Sequence, residues 1–469
     1  MKHQTHNEVS KTIIFIVTLL TVFSKSVLAL SNDETLKPLP VRTMLGVRPV
    51  NQEPDEQVII QAISPNSTAS SIGLKNGDKL LKLNNNKIAD FRNLIQLLSN
   101  KEVGEQVSFT VERNSKTLTL NGTMKPRTRE QHTKANVEYG TLFWNKQRLR
   151  TITYTPNQLI TENKAAPAVF YIQGYTCGSV EMGHSPNATP LQLFDQFVNA
   201  GFVVYRVEKL AVGESKGDLK CSEVDFTTEV AAFTAALKQL KKHPNVDERN
   251  VILWGHSLGV LAAPAMAKQE SVVGIIGFGG VAKSWHDYIL DIYYKQATKY
   301  FGTDKKEAKA NVKTIKPFIH DWLKTDKTWD ELLKNTKAVN SRLIPIQDQQ
   351  VFQRDFTFFR DLNQYNFSKL WEELNTPTLM IHGSLDIQAI EEKWAFDIAK
   401  SVNKGGKGLG KAIVIEGAEH ALMNYKNLQE NLDERSSGQY NPGRPGNRFE
   451  PKIGEESIKW INNTLKKSN

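Results

Sequence analysis

The 469-residue sequence lacks the patterns that mark most metal, redox and nucleic-acid sites. It has two cysteines, Cys177 and Cys221, and neither the CxxC nor the HExxH spacing of metal and redox centres occurs. The net charge is +10, yet lysine and arginine are interspersed with acidic residues and form no long basic run. The sequence therefore predicts no metal, no cofactor and no nucleic-acid partner.

Long apolar runs are also scarce, and none reaches the roughly 20 residues that a membrane-spanning helix needs. The run at residues 12–23 follows Lys2 and Lys11 and precedes small residues that end at Ala29. This arrangement predicts a secretory signal at residues 1–29 with cleavage after Ala29, while an uncleaved anchor is the alternative. We expect an exported protein, periplasmic or secreted, without a stable membrane anchor.

Residues 42–125 predict a small β-rich domain. Short apolar runs alternate with turn residues, as in QVIIQAI, DKLLKLNNNKI, QVSFTVER and TLTLNGTM, and each run is typical of a strand. Among them, Phe91, Leu94, Ile95 and Leu98 recur at the spacing of one helix face. The pattern predicts several strands crossed by one helix.

This region resembles a PDZ domain. The resemblance rests on SPNSTASSIGLKNGDKLLKLNNNKI, in which Gly73-Leu74 and Gly77-Asp78 carry the strongest part of the match. It implies a loop whose backbone amides bind the C-terminal carboxylate of a protein or peptide, which then adds a strand to the sheet. The loop residues are Met44, Leu45, Gly46 and Val47. A domain that only packs, with a blocked groove, is the alternative.

A polar segment at residues 126–138 has no apolar period and predicts a linker to a second domain at residues 139–469. In the second domain, continuous apolar runs alternate with helical patterns, of which residues 222–242 are the clearest. Such runs are typical of strands buried on both faces of a mostly parallel sheet. They are AAPAVFYIQG, AGFVVYRVEK, NVILWGHS, SVVGIIGFGG, TPTLMIHG and KAIVIEGA.

Two serines have the GxSxG spacing of a nucleophile elbow: Ser215 in GESKG and Ser257 in GHSLG. An elbow needs a strand that runs into the motif and a helix that leaves it. NVILW and VLAAPAMAKQ provide both around Ser257, although Pro264 lies inside that helix. GESKG follows a strand that has already ended, so Ser215 is expected on a flexible loop. The sequence predicts Ser257 as the nucleophile.

A serine nucleophile needs an imidazole that takes its proton and an acid that orients the imidazole. Asp386 and His420 follow consecutive apolar runs, in LMIHGSLD and AIVIEGAEHAL, so both are expected at the carboxyl ends of strands. Other histidines fit less well. His256 lies inside the elbow and points elsewhere, whereas His286 and His320 are expected on the surface of an insertion or in a lid.

GHSLG, GSLD and GAEH, in this order, resemble the α/β-hydrolase superfamily over residues 136–467. The resemblance implies an α/β fold with a mostly parallel central sheet and a helical cap. It also implies a serine hydrolase with the triad Ser257, Asp386 and His420, which needs no cofactor. The amides of Leu258 and Tyr175 would bind the oxyanion of the intermediate. Two stretches differ from the pattern of the superfamily. Gln173-Gly174 stands where many relatives have His-Gly, and EKLAVGESKG replaces their usual turn rich in Asp and Arg.

Residues 281 to about 374 are expected to form the cap, because helical patterns and aromatic residues fill this insertion between two strands. The loop that contains GESKG is expected at the same edge of the sheet as the YTCG turn. Cys177 and Cys221 would then meet and form a disulfide, whereas two buried free thiols are the alternative.

The leading hypothesis is an exported serine hydrolase that cleaves an ester or related acyl bond of a small substrate through an acyl-enzyme on Ser257. A second hypothesis is a serine peptidase whose PDZ-like domain recruits peptide C-termini. A third is a binding protein that uses the hydrolase fold as a scaffold without catalysis.

Overall fold

The first domain of the computed structural model is a small β-rich unit; the structure describes residues 38–50, 55–444 and 446–468. Two helices, Thr68–Ile72 and Phe91–Ser99, accompany the strands. The strands are β1 (Val47–Pro49), β2 (Ile60–Ile63), β3 (Lys79–Leu83), β4 (Asn86–Lys87), β5 (Gln106–Arg113) and β6 (Lys116–Thr123). β1 pairs with β2, and the other four form an antiparallel sheet in the order β4, β3, β5, β6. The predicted signal at residues 1–29 lies outside the described residues.

Apolar and polar residues alternate along the strands of this domain, so each strand turns one row of side chains inward. On β5, Val107, Phe109 and Val111 are buried while the residues between them are more exposed. Asp78, just before β3, is fully buried, and its carboxylate accepts two hydrogen bonds of 2.6 Å from Arg113 at the end of β5. Asp78 of the Gly77-Asp78 motif therefore links the start of β3 to the end of β5.

The segment at residues 126–138, predicted as a linker, is not a loose connection. Its last residues already belong to the first strand of the second domain. Glu130 is buried and accepts hydrogen bonds from the Tyr154 hydroxyl, the Arg206 guanidinium and the Met182 amide. The prediction is wrong for residue 130, because a polar side chain without an apolar period can still be buried when it finds partners. It is also wrong for residues 135–138, which pair with β8 as part of a strand.

The second domain is built on an eight-stranded sheet. Its first strands are β7 (Ala135–Trp144), β8 (Gln147–Pro156), β9 (Ala166–Ile172), β10 (Val203–Val207), β11 (Val246–His256) and β12 (Gly274–Phe278). The insertion that follows contains a small sheet of β13 (Ile346–Gln347), β14 (Gln350–Val351) and β15 (Arg354–Asp355). β16 (Thr378–Gly383) and β17 (Gly410–Ile415) complete the large sheet, whose order is β17, β16, β12, β11, β9, β10, β8, β7. Neighbours from β17 to β10 are parallel, and β8 and β7 are antiparallel.

The two antiparallel strands β7 and β8 were not among the predicted strands. They form a hairpin whose turn residues, Asn145 and Lys146, have φ values of +46° and +62°. Positive φ at both central positions is the geometry of a tight hairpin turn, in which asparagine is well tolerated. The continuous apolar runs used for prediction are typical of parallel strands buried on both faces. β7 is a half-exposed edge strand, and the buried β8, QRLRTITYTP, alternates polar with apolar residues, so neither shows such a run.

Helices cover both faces of the large sheet. Phe226–Leu240 and Gly259–Ala267 bury their apolar residues against one face, and Thr189–Asn199 and Lys452–Ser468 pack on the other. The remaining helices of this domain outside the insertion are Asn157–Thr161, Lys393–Gly405 and Leu428–Ser436. This architecture confirms the predicted fold class, a mostly parallel α/β sheet preceded by a small β-rich domain.

The insertion between β12 and β16 is mainly helical, as expected for residues 281 to about 374. It includes a π-helical turn, Ile292–Gln296. Its α-helices are Trp285–Asp291, Ala297–Tyr300, Lys305–Lys324, Trp329–Leu333, Thr336–Asn340, Phe356–Gln364 and Phe367–Glu373. Across the part of the chain that the structure describes, none of the helices combines the length and apolarity needed to cross a membrane.

Candidate active site

Ser257 lies on a sharp turn between β11 and the helix Gly259–Ala267. Its φ is +56°, a conformation that is strained for a residue with a Cβ and is concentrated at functional turns. Glycines on either side permit the turn: a Cβ on Gly255 would lie 2.6 Å from the carbonyl oxygen of Gly259. A Cβ on Gly259 would lie 2.2 Å from the carbonyl oxygen of Ile172. The GHSLG motif thus forms an elbow at the carboxyl end of the sheet.

Asp386 and His420 lie side by side beyond the ends of β16 and β17. The Nδ1 atom of His420 is 2.7 Å from Oδ2 of Asp386. The other carboxylate oxygen, Oδ1, accepts hydrogen bonds from the amides of Gln388 and Ala389 at 2.8 and 2.9 Å. Both residues of the pair are buried. The sequence-predicted acid and base are therefore brought together and held in one orientation.

The pair shifts the pKa of each member. Burial favours the neutral form of Asp386, but the charge of His420 and its hydrogen bond outweigh burial and lower the pKa of Asp386 to about 2. Burial also opposes the charged form of His420, yet the charge of Asp386 raises the pKa of His420 above its ordinary value. Asp386 is consequently ionised at neutral pH, and it stabilises the imidazolium form of His420.

Gly279, just after β12, packs directly against this pair, a role that sequence reasoning missed. Its φ is +66°. A Cβ at this position would lie 2.8 Å from Nδ1 of His420 and 2.9 Å from Oδ2 of Asp386. The signal in the sequence is the GFGG that ends an apolar run, where a glycine follows the strand at the site edge.

Glu419 holds the loop that carries His420, which sequence reasoning also missed. It is fully buried, and its Oε1 accepts hydrogen bonds from two backbone amides of its own loop. Its Oε2 accepts hydrogen bonds from Arg435 and from the Tyr440 hydroxyl. The only signal in the sequence is the acid of GAEH, directly before the predicted base.

The other histidines lie apart from this pair or support it. The Nε2 atom of His256 is 2.8 Å from the carbonyl oxygen of His420, and its Nδ1 is 3.1 Å from the Tyr171 hydroxyl. Burial lowers the pKa of His256 to about 4, so it is neutral at pH 7. His286 was expected on the surface or in a lid, but it is only 5% exposed and pairs with Asp287. A surface position is wrong for His286, because its helix turns it into the packed interior, whereas His320 is exposed.

The turn after β9 brings Tyr175 to the elbow. A Cβ on Gly174 would lie 3.2 Å from the Cβ of Ser257, so the turn and the elbow are in contact. Tyr175 and Leu258 border the same cavity as Ser257 and His420. Both residues predicted to supply oxyanion donors therefore lie at the site.

Cys177 and Cys221 form a disulfide, with their Cα atoms 5.8 Å apart, as the sequence predicts. The bond joins the turn that carries Tyr175 to the end of the loop that contains GESKG. It therefore braces the turn beside the predicted nucleophile.

The rival serine lies in a packed loop. Ser215 is 3% exposed, and its Oγ accepts a hydrogen bond of 3.0 Å from the amide of Arg150 on β8. The adjacent Glu214 is also buried and binds the guanidinium groups of Arg150 and Arg129. The predicted flexible loop is wrong, because charged residues that suggest exposure are paired in the interior. The hydroxyl of Ser215 is a structural acceptor for β8.

Two cavities meet at Ser257. The first, the cap cavity, has a volume of about 210 Å³ and lies beneath the insertion. Apolar and aromatic side chains make up most of its wall: Leu261, Val281, Trp285, Tyr288, Ile289, Ile292, Phe352 and Phe359. The second, the turn cavity, measures about 250 Å³ and includes the polar side chains of Gln173, Thr176 and Ser179. Ser257 and His420 border both cavities, so a bound molecule can extend in two directions from the serine.

The predicted carboxylate-binding loop, Met44 to Val47, precedes and enters β1. The Met44 amide is already engaged, since it donates a hydrogen bond of 3.0 Å to the carbonyl of Lys125. Gly46 has φ +77°, and a Cβ on it would lie 2.2 Å from the Cβ of Ser67. A carboxylate would therefore have to be bound by the loop amides other than that of Met44.

The family to which the chain belongs follows from the family models that it matches. Residues 146–421, more than half of the chain, match the model of the X-Pro dipeptidyl-peptidase family, S15. The chain belongs to the S15 family. In this S15 protein, residues 43–123 match the PDZ domain model, which confirms the predicted PDZ domain. The S15 protein is thus a hydrolase that joins a PDZ domain to an α/β-hydrolase domain.

Similar proteins were also found for the parts of this S15 protein. It is 32% identical over 81 residues to "Serine endoprotease DegS" of Haemophilus influenzae, a match over 17% of this chain and 24% of that protein. The chain thus spans about a quarter of the length of the curated relative it matches. Est1E from Butyrivibrio proteoclasticus with ferulic acid is 15% identical, covering 64% of this chain and 97% of that one with a TM-score of 0.40. A thermostable carboxyl esterase from Bacillus coagulans is 15% identical, covering 71% and 100% with a TM-score of 0.41.

Proposed function

We propose that the protein is an exported serine hydrolase that cleaves an ester or related acyl bond through an acyl-enzyme on Ser257. One observation carries the proposal: Ser257, on a strained elbow, borders the same cavities as His420, which is hydrogen-bonded to Asp386. The three residues come from separate strand ends, in the chain order typical of α/β-hydrolases. This combination of a strained serine with a buried imidazole and carboxylate supports nucleophilic catalysis.

In the proposed reaction, neutral His420 takes the proton of Ser257 while Oγ attacks the acyl carbon. Asp386 stays ionised, keeps the imidazole in one tautomer and stabilises the imidazolium. The amides of Leu258 and Tyr175 bind the oxyanion. The imidazolium then gives its proton to the leaving alcohol, and water attacks the acyl-enzyme by the same route to release the acid.

The walls of the cap cavity support an apolar, uncharged acyl group. Of the described residues that border it, none is an aspartate, glutamate, lysine or arginine. A charged acyl group would be buried there without an ionic partner, and the desolvation of such an ion costs on the order of several kcal/mol. The polar side chains of the turn cavity would then receive the leaving alcohol.

A peptidase is the second candidate, and the family match to X-Pro dipeptidyl-peptidase supports it. An enzyme that removes dipeptides from a free N-terminus has to bind an ammonium group, which calls for a carboxylate in the substrate cavity. The described residues lining the cap cavity include no carboxylate, and Asp386 is already paired with His420. We therefore expect faster turnover of apolar esters than of Xaa-Pro amides.

Labelling and turnover of two serine variants test the proposal. Wild-type protein and Ser215→Ala should react with a fluorophosphonate probe and hydrolyse short nitrophenyl esters, whereas Ser257→Ala should do neither. Ser215→Ala is the matched control, because it removes the other GxSxG hydroxyl. Turnover that persists in Ser257→Ala would overturn the proposal. Xaa-Pro nitroanilides in the same assay separate peptidase from esterase activity.

Two further parts of the proposal concern location and partners. The signal pattern at residues 1–29 supports export, and the Cys177–Cys221 disulfide fits an oxidising compartment, periplasmic or outside the cell. The PDZ domain would bind the C-terminus of a protein at residues 44–47.

A further inference from the structure

Two buried cations bind the turn that carries Tyr175. The Nζ atom of Lys209 donates a hydrogen bond of 2.7 Å to the carbonyl oxygen of Gly174. The Nη1 atom of Arg354 donates one of 2.6 Å to the carbonyl oxygen of Tyr175. Both side chains are fully buried. Successive carbonyls of this one turn are therefore each bound by a full positive charge.

Glu229 links the two cations. Its Oε1 lies 2.9 Å from Nζ of Lys209, and its Oε2 lies 2.9 Å from Nη2 of Arg354. The three residues come from distant parts of the chain: the loop after β10, the helix Phe226–Leu240 and β15 of the insertion. Two cations and one anion give this cluster of three residues a net positive charge. A buried charge is costly, so its position next to the site calls for a reason beyond packing.

The geometry of the peptide unit gives that reason. The carbonyl of Gly174 and the amide of Tyr175 belong to the same planar group, in which C=O and N–H point in opposite directions. A cation that binds the carbonyl oxygen therefore fixes the direction of the Tyr175 N–H. It also draws electron density toward the oxygen, and hydrogen bonds in such a chain polarise one another. The N–H at the other end becomes a stronger donor.

We infer that Lys209 is a positioning residue for catalysis, which orients and polarises the Tyr175 amide through the carbonyl of Gly174 so that this amide binds the oxyanion. Glu229 and Arg354 hold Lys209 and the following peptide in place. The inference rests on the proposed function, since it assigns the Tyr175 amide to the oxyanion. It makes the positive charge of Lys209, and not only its bulk, a requirement for turnover.

The state of charge of Lys209 is open to test by pH. Burial lowers the pKa of Lys209 to about 8, with Glu229 opposing this shift and Arg354 adding to it. Glu229 lies on the helix Phe226–Leu240 and Arg354 on β15, and after burial these two charges contribute most to the shift. Lys209 would then lose its proton a little above neutral pH, and kcat should fall as the pH rises through about 8.

The experiment compares Lys209→Met with Lys241→Met. Lys241 is the matched control, since its Nζ also binds a glutamate, Glu270 at 2.7 Å, and a backbone carbonyl, that of Ser271 at 2.6 Å. On a short nitrophenyl ester, Lys209→Met should lose about 10²-fold in kcat with KM nearly unchanged, the scale of one lost oxyanion donor. Lys241→Met should keep both parameters. The fall of wild-type kcat above pH 8 should be absent in Lys209→Met.

The outcomes separate the inference from the proposed function. If wild-type protein shows no turnover that depends on Ser257, the proposed function fails and the inference fails with it. If wild-type turnover depends on Ser257 but Lys209→Met keeps its kcat, only the inference fails. Should Lys209→Met not fold, Lys209→Gln retains a donor without the charge and should still lose kcat. A fall of kcat above about pH 8 that persists unchanged in Lys209→Met would contradict the assignment of that fall to Lys209.

Discussion

Gly279 contacts His420 so closely that no side chain fits between them, since a Cβ on Gly279 would lie 2.8 Å from the Nδ1 atom. Gly279→Ala should therefore push the imidazole away from Asp386. A displacement of about 1 Å in a catalytic geometry can cost about 10²-fold in rate, and we expect a loss of this size in kcat/KM for ester substrates. Steady-state kinetics on nitrophenyl esters checks the loss.

Gly302→Ala is the control for that experiment. Gly302 has the same φ, +66°, but a Cβ on it would meet nothing within 4 Å. Gly302→Ala should lose about 1 kcal/mol of unfolding free energy from backbone strain alone, measured by denaturant titration. Gly279→Ala should lose more, because the clash with His420 and Asp386 adds to the same strain. Equal activity of the two variants would contradict the role assigned to Gly279.

Replacement of Asp386 by asparagine should change both the rate and its pH dependence. The carboxylate raises the pKa of His420, and the base has to be neutral to accept a proton. Without the carboxylate, the pKa of His420 falls, so the acidic limb of kcat/KM should move to lower pH. The kcat itself should fall by about 10⁴-fold, because the tautomer is no longer fixed. A pH–rate profile of Asp386→Asn measures both effects.

Asp287→Asn provides the matched control for Asp386→Asn. Asp287 also pairs with a histidine, with Oδ1 2.8 Å from Nδ1 of His286. The kcat and the pH–rate profile of Asp287→Asn should match those of the wild type. An acidic limb that does not move in Asp386→Asn would argue that another group sets it.

Reduction of the Cys177–Cys221 disulfide should lower both stability and activity. The bond closes a sequence separation of 44 residues, and the chain-entropy model gives a stabilisation of up to about 4 kcal/mol. Unfolding by urea with and without reductant measures the difference. Thiol titration of the unfolded, unreduced protein should find no free thiols, and two would contradict the bond. Because the bond braces the turn with Tyr175, reduced but folded protein should also lose kcat.

The PDZ domain offers a test of peptide binding that leaves catalysis alone. Gly46→Ala should displace the loop at residues 44–47, since the added Cβ would collide with Ser67. Binding of peptides with a free C-terminal carboxylate should be lost, as measured by fluorescence anisotropy, while ester turnover stays. Gly104→Ala is the control, because Gly104 also has a positive φ, +87°, with nothing within 4 Å of a Cβ. Equal binding of amidated and free peptides would contradict carboxylate recognition.

The sequence predicts those parts of the fold and site that depend on local patterns. The strand before Ser257 and the helix after it are adjacent in the chain, so the choice of Ser257 over Ser215 follows from the context of the motif. Asp386 and His420 each follow an apolar run, and parallel strands bring such ends to one edge. The disulfide could be predicted for the same reason.

The features that were missed depend on contacts between distant segments. The GFGG that ends the β12 run does not by itself indicate the contact of Gly279 with His420 and Asp386, because a glycine after a strand has many other uses. The burial of Glu130 and Glu214 was not predictable either, since a charged residue is buried only when the fold brings it a partner. The polar composition of the segments around Glu130 and Glu214 predicts exposure, but both carboxylates are buried because each is paired with a cation.

The buried partners of Glu130 bear on how this protein can be divided into exchangeable modules. Its carboxylate binds Tyr154 and Arg206, and the nearby Arg129 binds Glu181 and Glu214. A cut between residues 130 and 138 would remove these groups and leave several charges unpaired inside the hydrolase. Arg127 also binds Glu181, through its carbonyl oxygen and its carboxylate. A recombination event or a protease that separates the two domains without this loss would have to act before Arg127. The segment that has to stay with the hydrolase domain therefore begins before β7, the first strand of that domain.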